Sequence, residues 1–322
     1  MKKTFNDKIL TVILTLLAAP AQSMDRDNKF PLHRAASGND SEEIQRLLNQ
    51  RPWWQKILSW GVDPKDSCET TPLHLAALHG NAKSIQALLD AGANPTSNSK
   101  ILGTPLHCAA KNRRVEALQA LLPEQKVAIE AQDNQLCTPL HRAAEYGRDA
   151  HIAALVDAGA DVNARSFFGG TPLHYLVENI PAIVTALIQA GADLGARDYE
   201  GMTPLLTAIQ NMPSEAQGRA TGVRLMLSAG ADPNTRNQYG ATALAIALRK
   251  ERWSKMMIHA LLEGGSDINA AFPEEGYPHN VKITVTPVQY AARRGGKDCT
   301  HTLLEAGASM LPEEEFSAGF RR

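Results

Sequence analysis

The sequence predicts an all-α repeat protein, a stack of about eight helix–turn–helix units rather than a domain built around one core. Three observations carry that prediction. The tetrapeptide Thr-Pro-Leu-His occurs at Thr71–His74, Thr104–His107, Thr138–His141 and Thr171–His174. The threonines are separated by 33 (71 to 104), 34 (104 to 138) and 33 (138 to 171) residues, and a fixed period of this length marks a stacked array. Eroded copies extend the frame to Phe30-Pro31-Leu32-His33, Thr203-Pro204-Leu205, Thr242-Ala243-Leu244 and Thr286-Pro287-Val288.

Each element of the repeat has a physical task. A Thr hydroxyl caps a helix start, and Pro at the first helical position has a preset φ and no amide to leave unpaired. Leu73, Leu106, Leu140 and Leu173 then open an apolar stripe. The pairs Ala76-Ala77, Ala109-Ala110 and Ala143-Ala144 are small enough for neighbouring helices to come close. A second helix follows, carrying pairs such as Leu88-Leu89, and then a Gly-Ala-Asp/Asn step, as at Gly92-Ala93-Asn94, Gly159-Ala160-Asp161 and Gly191-Ala192-Asp193. That glycine supplies a left-handed stop. A polar loop leads to the next Thr. No unit covers its own apolar face, so neighbours must stack.

Over residues 29–309 these motifs resemble the ankyrin repeat, with units starting near Phe30, Thr71, Thr104, Thr138, Thr171, Thr203, Thr242 and Thr286. The resemblance implies an ankyrin-repeat solenoid in which each unit has two antiparallel helices and a projecting β-hairpin loop. It also implies partner binding through hairpin tips and the inner helix face. By the same resemblance, the repeat histidines His33, His74, His107, His141 and His174 hydrogen-bond the adjoining loop.

The N-terminus reads differently. Lys2, Lys3 and Lys8 precede an apolar run from Ile9 to Ala19, with small residues at Ala19, Ala21 and Ser23. That order matches a secretory signal peptide over residues 1–23, cleaved near Ala21 or Ser23. The run is shorter than the roughly 20 residues a membrane helix needs. A periplasmic or secreted protein is therefore expected, without stable membrane insertion once the signal is cleaved. The alternative, an amphipathic N-terminal cap, fits less well because the run is apolar all round. Residues 310–322 read as a short tail.

Net charge is −1, which offers no electrostatic footprint for nucleic acid. Cys68 and Cys137 fall two repeats apart, about 20 Å at a helix spacing near 10 Å, against a limit of about 7 Å for a disulfide. Free thiols are expected, with Cys108 in a buried helix and Cys137 exposed. Cys137 and His141 could pass for a nucleophile and base, but His141 belongs to the repeat. His79, His151, His259, His279 and His301 are scattered without metal-ligand spacing. No catalytic residue, cofactor or metal is expected.

Three insertions break the period. Residues 51–60 hold Trp53, Trp54 and Trp60, either a secondary partner contact or, better supported, an extension sealing the exposed first repeat. Asn211 to Gly222 reads as a loop within one repeat. Phe272 to Val285 lengthens a hairpin, with alternation at Val281, Ile283 and Val285 that fits a short strand pair.

The candidate binding site comes from the variable loop positions. Phe167-Phe168, Tyr199-Glu200 and Gln238-Tyr239 occupy consecutive tips, with Met202 just before its Thr and Glu145 and Tyr146 facing the same groove. Aromatics form only 5% of the chain, yet five align here. Such rings are favoured at interface cores; the competing reading is that they pack on one another or shield the loop backbone. Charge around the strip is mixed (Glu145, Arg165, Arg197, Asp198, Glu200, Arg236), which fits a protein or peptide partner better than a polyanion. The expectation is a monomeric, non-catalytic, exported scaffold holding a protein partner; the alternative is a host-directed effector of an intracellular bacterium.

Overall fold

In the computed structural model the described residues are 31–38, 40–49, 62–124, 129–176, 181–211, 220–249, 255–273, 284–294 and 296–309. The chain divides into two compact units, residues 1–128 and 129–322. The predicted leader, the three tryptophans and the tail lie outside the described residues.

Among the described residues the first unit holds three helix pairs: α1 Pro31–Ser37 and α2 Ser41–Asn49, α3 Pro72–Leu78 and α4 Ala82–Asp90, α5 Pro105–Lys111 and α6 Val115–Leu121. First helices stack on first helices and second on second. The last described residues of the unit form a 3₁₀ turn over Leu122–Glu124.

The second unit continues with α7 Pro139–Glu145 and α8 Asp149–Asp157, then a 3₁₀ turn Pro172–Tyr175 and α9 Pro181–Gln189. There follow α10 Pro204–Asn211 and α11 Ala220–Ser228, α12 Ala243–Arg249 and α13 Lys255–Glu263, and α14 Pro287–Arg293 and α15 Lys297–Glu305. Thus α-helices and short turns recur at the predicted starts. The fifth unit is the exception, because its first element is only a 3₁₀ turn. Where other repeats place the first alanine of the pair, this one has Leu176, buried and extended at φ −67° and ψ 102°. A leucine cannot occupy the narrow gap an alanine leaves between stacked helices.

The aliphatic residue two positions after each repeat Thr forms the core: Leu73 and Leu106 in the first unit, and Leu140, Leu173, Leu205, Leu244 and Val288 in the second, are all buried. The glycine stop is built as expected. At Gly92, φ is +88°, the Gly92 N–H donates to the Leu89 carbonyl at 2.8 Å, and the Ala93 N–H donates to the Leu88 carbonyl at 2.9 Å.

The histidines tie one repeat to the next. His74 Nδ1 accepts the Thr71 backbone N–H at 3.1 Å and lies 2.8 Å from the Thr71 hydroxyl. With Nδ1 accepting, the proton sits on Nε2, which donates to the Gly103 carbonyl at 2.9 Å. His141 and His174 repeat this with Thr138 and the Gly170 carbonyl, and with Thr171 and the Met202 carbonyl. His33 Nε2 reaches the Thr70 carbonyl at 2.8 Å. In the eighth unit Gln289 takes the capping role, its Oε1 accepting the Thr286 N–H at 3.0 Å.

Two insertions are placed more narrowly than expected. Asn211 closes α10 and Gly222 lies inside α11, and the rest of the predicted loop, residues 212–219, lies outside the described residues. The lengthened hairpin is an antiparallel pair, β1 Phe272–Pro273 with β2 Thr284–Val285, in the register Phe272↔Val285. Val281 and Ile283 lie outside the described residues.

Candidate partner-binding site

Three hairpins of the second unit are each held from inside by one acceptor, while the one at Ser166 is closed by backbone bonds, Ser166 N–H to the Gly170 carbonyl and Gly169 N–H to the Ser166 carbonyl. Asp198 Oδ1 accepts the N–H groups of Glu200 (2.9 Å) and Met202 (2.8 Å). Asn237 Oδ1 does the same for Tyr239 and Ala241, both at 3.0 Å. Asp133 Oδ1 serves Gln135 (2.9 Å) and Cys137 (3.1 Å). This is the Asx turn, and it closes the loop without using the tip side chains.

Successive hairpins are then bonded to one another. The Phe167 N–H donates to the Gln135 carbonyl (2.8 Å), Tyr199 N–H to the Phe168 carbonyl (3.0 Å), and Gln238 N–H to the Glu200 carbonyl (3.0 Å). Arginine rungs reinforce the row. Arg165 donates to the carbonyls of Gly169 and Arg197, Arg197 to that of Arg236, and Arg236 to those of Gly240 and Ala271. The mixed charge expected around the strip is therefore largely structural on its cationic side.

With the backbone secured in this way, Phe167, Phe168, Tyr199 and Tyr239 remain 57%, 46%, 75% and 53% exposed. The competing packing account is also visible: Phe167 and Phe168 meet edge-to-face at 5.2 Å, and Tyr199 lies over Gly169, where an added Cβ would come within 2.8 Å of its ring. These contacts orient the rings and leave about half or more of each facing solvent. Glu200 and Gln238 are exposed beside them.

Glu145 and Tyr146 stand half-buried at the end of α7, and Glu145 is bound to Arg142 at 2.7 Å. Arg142 is buried and also bridges Asp133 at 2.5 Å and Gln135 at 2.8 Å, a network the sequence did not reveal because the matching residues Leu75 and Cys108 are uncharged. Two expectations are corrected here. Met202 is only 3% exposed, its carbonyl receiving His174 and its sulfur accepting the Asn237 amide at 3.4 Å, so it does not belong to the tip surface. Cys137, expected to be exposed, is buried as well. Both precede a repeat Thr, on the return leg of a hairpin, which faces the helices. The tip residue that sequence reasoning missed is Leu136, exposed beside Phe167 at the place where the next three hairpins have glycine.

Little nucleophilic chemistry is offered. Burial raises the Cys137 thiol to about 11, and His141 spends both ring nitrogens on its capping bonds. All four cysteines are free thiols. Among the described residues no group of three or more His, Cys, Asp and Glu could hold a metal ion, and no helix is long and apolar enough to cross a membrane.

Comparison with known proteins agrees with this architecture. A family model described as ankyrin repeats (3 copies) matches residues 4–99, 97–166 and 165–237. The B-cell lymphoma 3 protein homolog of Mus musculus is 31% identical over 165 residues, covering 50% of this chain and 36% of that protein. A transient receptor potential cation channel subfamily A member 1 homolog of Caenorhabditis elegans is 27% identical over 161 residues, covering 50% of this chain and 13% of that protein. The chain thus spans well under half the length of either relative. Among solved structures, the ankyrin repeat domain of Bcl-3, titled a unique member of the IkappaB protein family, superposes with a TM-score of 0.58 at 28% identity. That match covers 74% of this chain and all of that one. With matches running over residues 4–237 and stacked helix pairs throughout both units, the chain belongs to the ankyrin-repeat family.

Proposed function

We propose that this ankyrin-repeat scaffold grips its protein partner through the hairpin tips of residues 129–322, with Phe167, Phe168, Tyr199, Glu200, Gln238 and Tyr239 as the contact strip and Glu145 and Tyr146 at its edge. The observation that carries the reading is the exposure of four aromatic rings on loops whose backbone is already bonded without them. Rings of this kind dominate interface energies, at roughly 1–2 kcal/mol or more each. Replacing Phe167, Phe168, Tyr199 and Tyr239 together by Ser should reduce partner capture from producing cells by well over tenfold. The melting temperature should change little. Unchanged capture would remove the strip from consideration, and a collapse of the fold would assign the rings to packing.

We also propose export to the periplasm or beyond, supported by the charged start, the apolar run and the small residues at Ala19, Ala21 and Ser23. One observation favours the alternative: the first family match begins at residue 4 and runs through this stretch, as it would if the stretch capped the array. Intact mass from fractionated cells separates the two. A species beginning after Ala21 or Ser23 outside the cytoplasm supports export, and the same species inside a host cell supports an effector. A cytoplasmic species retaining Met1 supports the cap.

A further inference from the structure

We propose that Leu136 is a partner contact retained at the expense of backbone comfort, and that the strip receives an apolar side chain next to a basic one, the latter paired with Glu200. The proposal rests on the hairpin-tip reading above and specifies its ligand.

The backbone at Leu136 is left-handed, with φ +54°. The equivalent residues of the next three hairpins are Gly169, Gly201 and Gly240, at φ +77°, +71° and +75°. Glycine adopts this conformation freely, whereas a Cβ is pushed against the following carbonyl. Among the described residues only Glu69 shares the exception. Glu69 has a role within the chain, since its carboxylate pairs with Lys100 at 3.0 Å and Lys65 at 3.6 Å. Leu136 is aliphatic and 41% exposed. The carbonyl of its neighbour Gln135 accepts the Phe167 N–H, which brings the tip that bears the leucine against the tip that bears Phe167 and Phe168.

The other end of the strip is different in character. Glu200 is exposed and its carboxylate has no partner among the described residues. The nearby guanidiniums of Arg165, Arg197 and Arg236 are committed to carbonyls. Glu200 sits between Tyr199 and the Gln238–Tyr239 tip, which its own carbonyl binds. A carboxylate between aromatic rings favours a Lys or Arg, by charge and by the ring faces together. An apolar patch leading to an anionic, aromatic one calls for a segment of a partner protein with that order reversed in charge.

The probe is a library of random peptides displayed on phage and selected against the full chain, followed by fluorescence anisotropy with the enriched peptide. Enriched sequences should join a large apolar residue to Lys or Arg, and selection against Glu200→Lys should replace the base by Asp or Glu. Leu136→Gly and Leu136→Asn should weaken the enriched peptide by about tenfold, with the melting midpoint held or raised. Glu200→Gln should weaken it about two- to fivefold. Unchanged affinity together with a lowered midpoint in both Leu136 variants would make the leucine a packing residue and overturn the proposal, as would enrichment indifferent to Glu200→Lys. Peptides that still bind after the four rings become Ser, or no enrichment at all, would overturn the hairpin-tip reading itself.

Discussion

Both units should lose stability steadily as pH falls from about 6.5 to about 4, well before general acid unfolding. Burial holds the rings of His74, in the first unit, and His141, in the second, down to about 4 from the ordinary 6.5. Burial lowers His33 and His174 in the same direction. The geometry agrees, because protonating Nδ1 would turn the acceptor of the Thr71 or Thr138 N–H into a second donor. Over this window the unfolded chain takes up the protons and the folded chain does not, so stability is complete above 6.5 and declines as pH drops. The His74 and His141 rings each contribute a loss of up to about 1.4 kcal/mol per pH unit, or roughly 3 kcal/mol across the window. Against a total of roughly 5–15 kcal/mol this is large. Denaturant unfolding measured between pH 7.5 and 4 should show that slope. His141→Gln should begin less stable and lose about one proton of slope, Gln289 showing that an amide can fill the acceptor role. A flat profile would mean the rings carry no such penalty.

Leu140→Ala should cost residues 129–322 about 2–5 kcal/mol. Leu140 is fully buried at the start of α7, which packs on α8 and on the turn Pro172–Tyr175. Its neighbours Ala143 and Ala144 are themselves buried and too small to refill the space, so the cavity persists. Because repeats couple to their neighbours, the damage should detach nearby repeats and broaden or split the unfolding transition. Leu304→Ala, at an exposed aliphatic side chain, is the control and should shift the midpoint little. An unshifted single transition in Leu140→Ala would show that this leucine is not a core position and that the repeat register is wrong.

The fold was readable because its determinants are local and repeated. Thr, Pro, Leu and His lie within four residues, and one period places every later copy. Even the eroded eighth unit keeps its box through Gln289. The row of hairpin tips was readable in outline, since tip residues are set by their distance from the next Thr, and four of the five aligned aromatics are well exposed. Met202 and Cys137 were misplaced because the residue before each of these repeat threonines lies on the hairpin's return leg, which faces the helices, so a shift of one or two positions from the tip exchanges surface for core.

The sequence alone therefore determined the repeat class, the helix starts and the rough line of the hairpin tips, all consequences of short-range stereochemistry counted at a fixed spacing. Tertiary structure alone decided that Arg142 is buried with Asp133 and Glu145, that the fifth unit begins in a 3₁₀ turn, that the arginines near the strip brace it, and that Leu136 stands out in a glycine's conformation. Each of these depends on what a neighbouring loop or helix presents, and no local spacing encodes that.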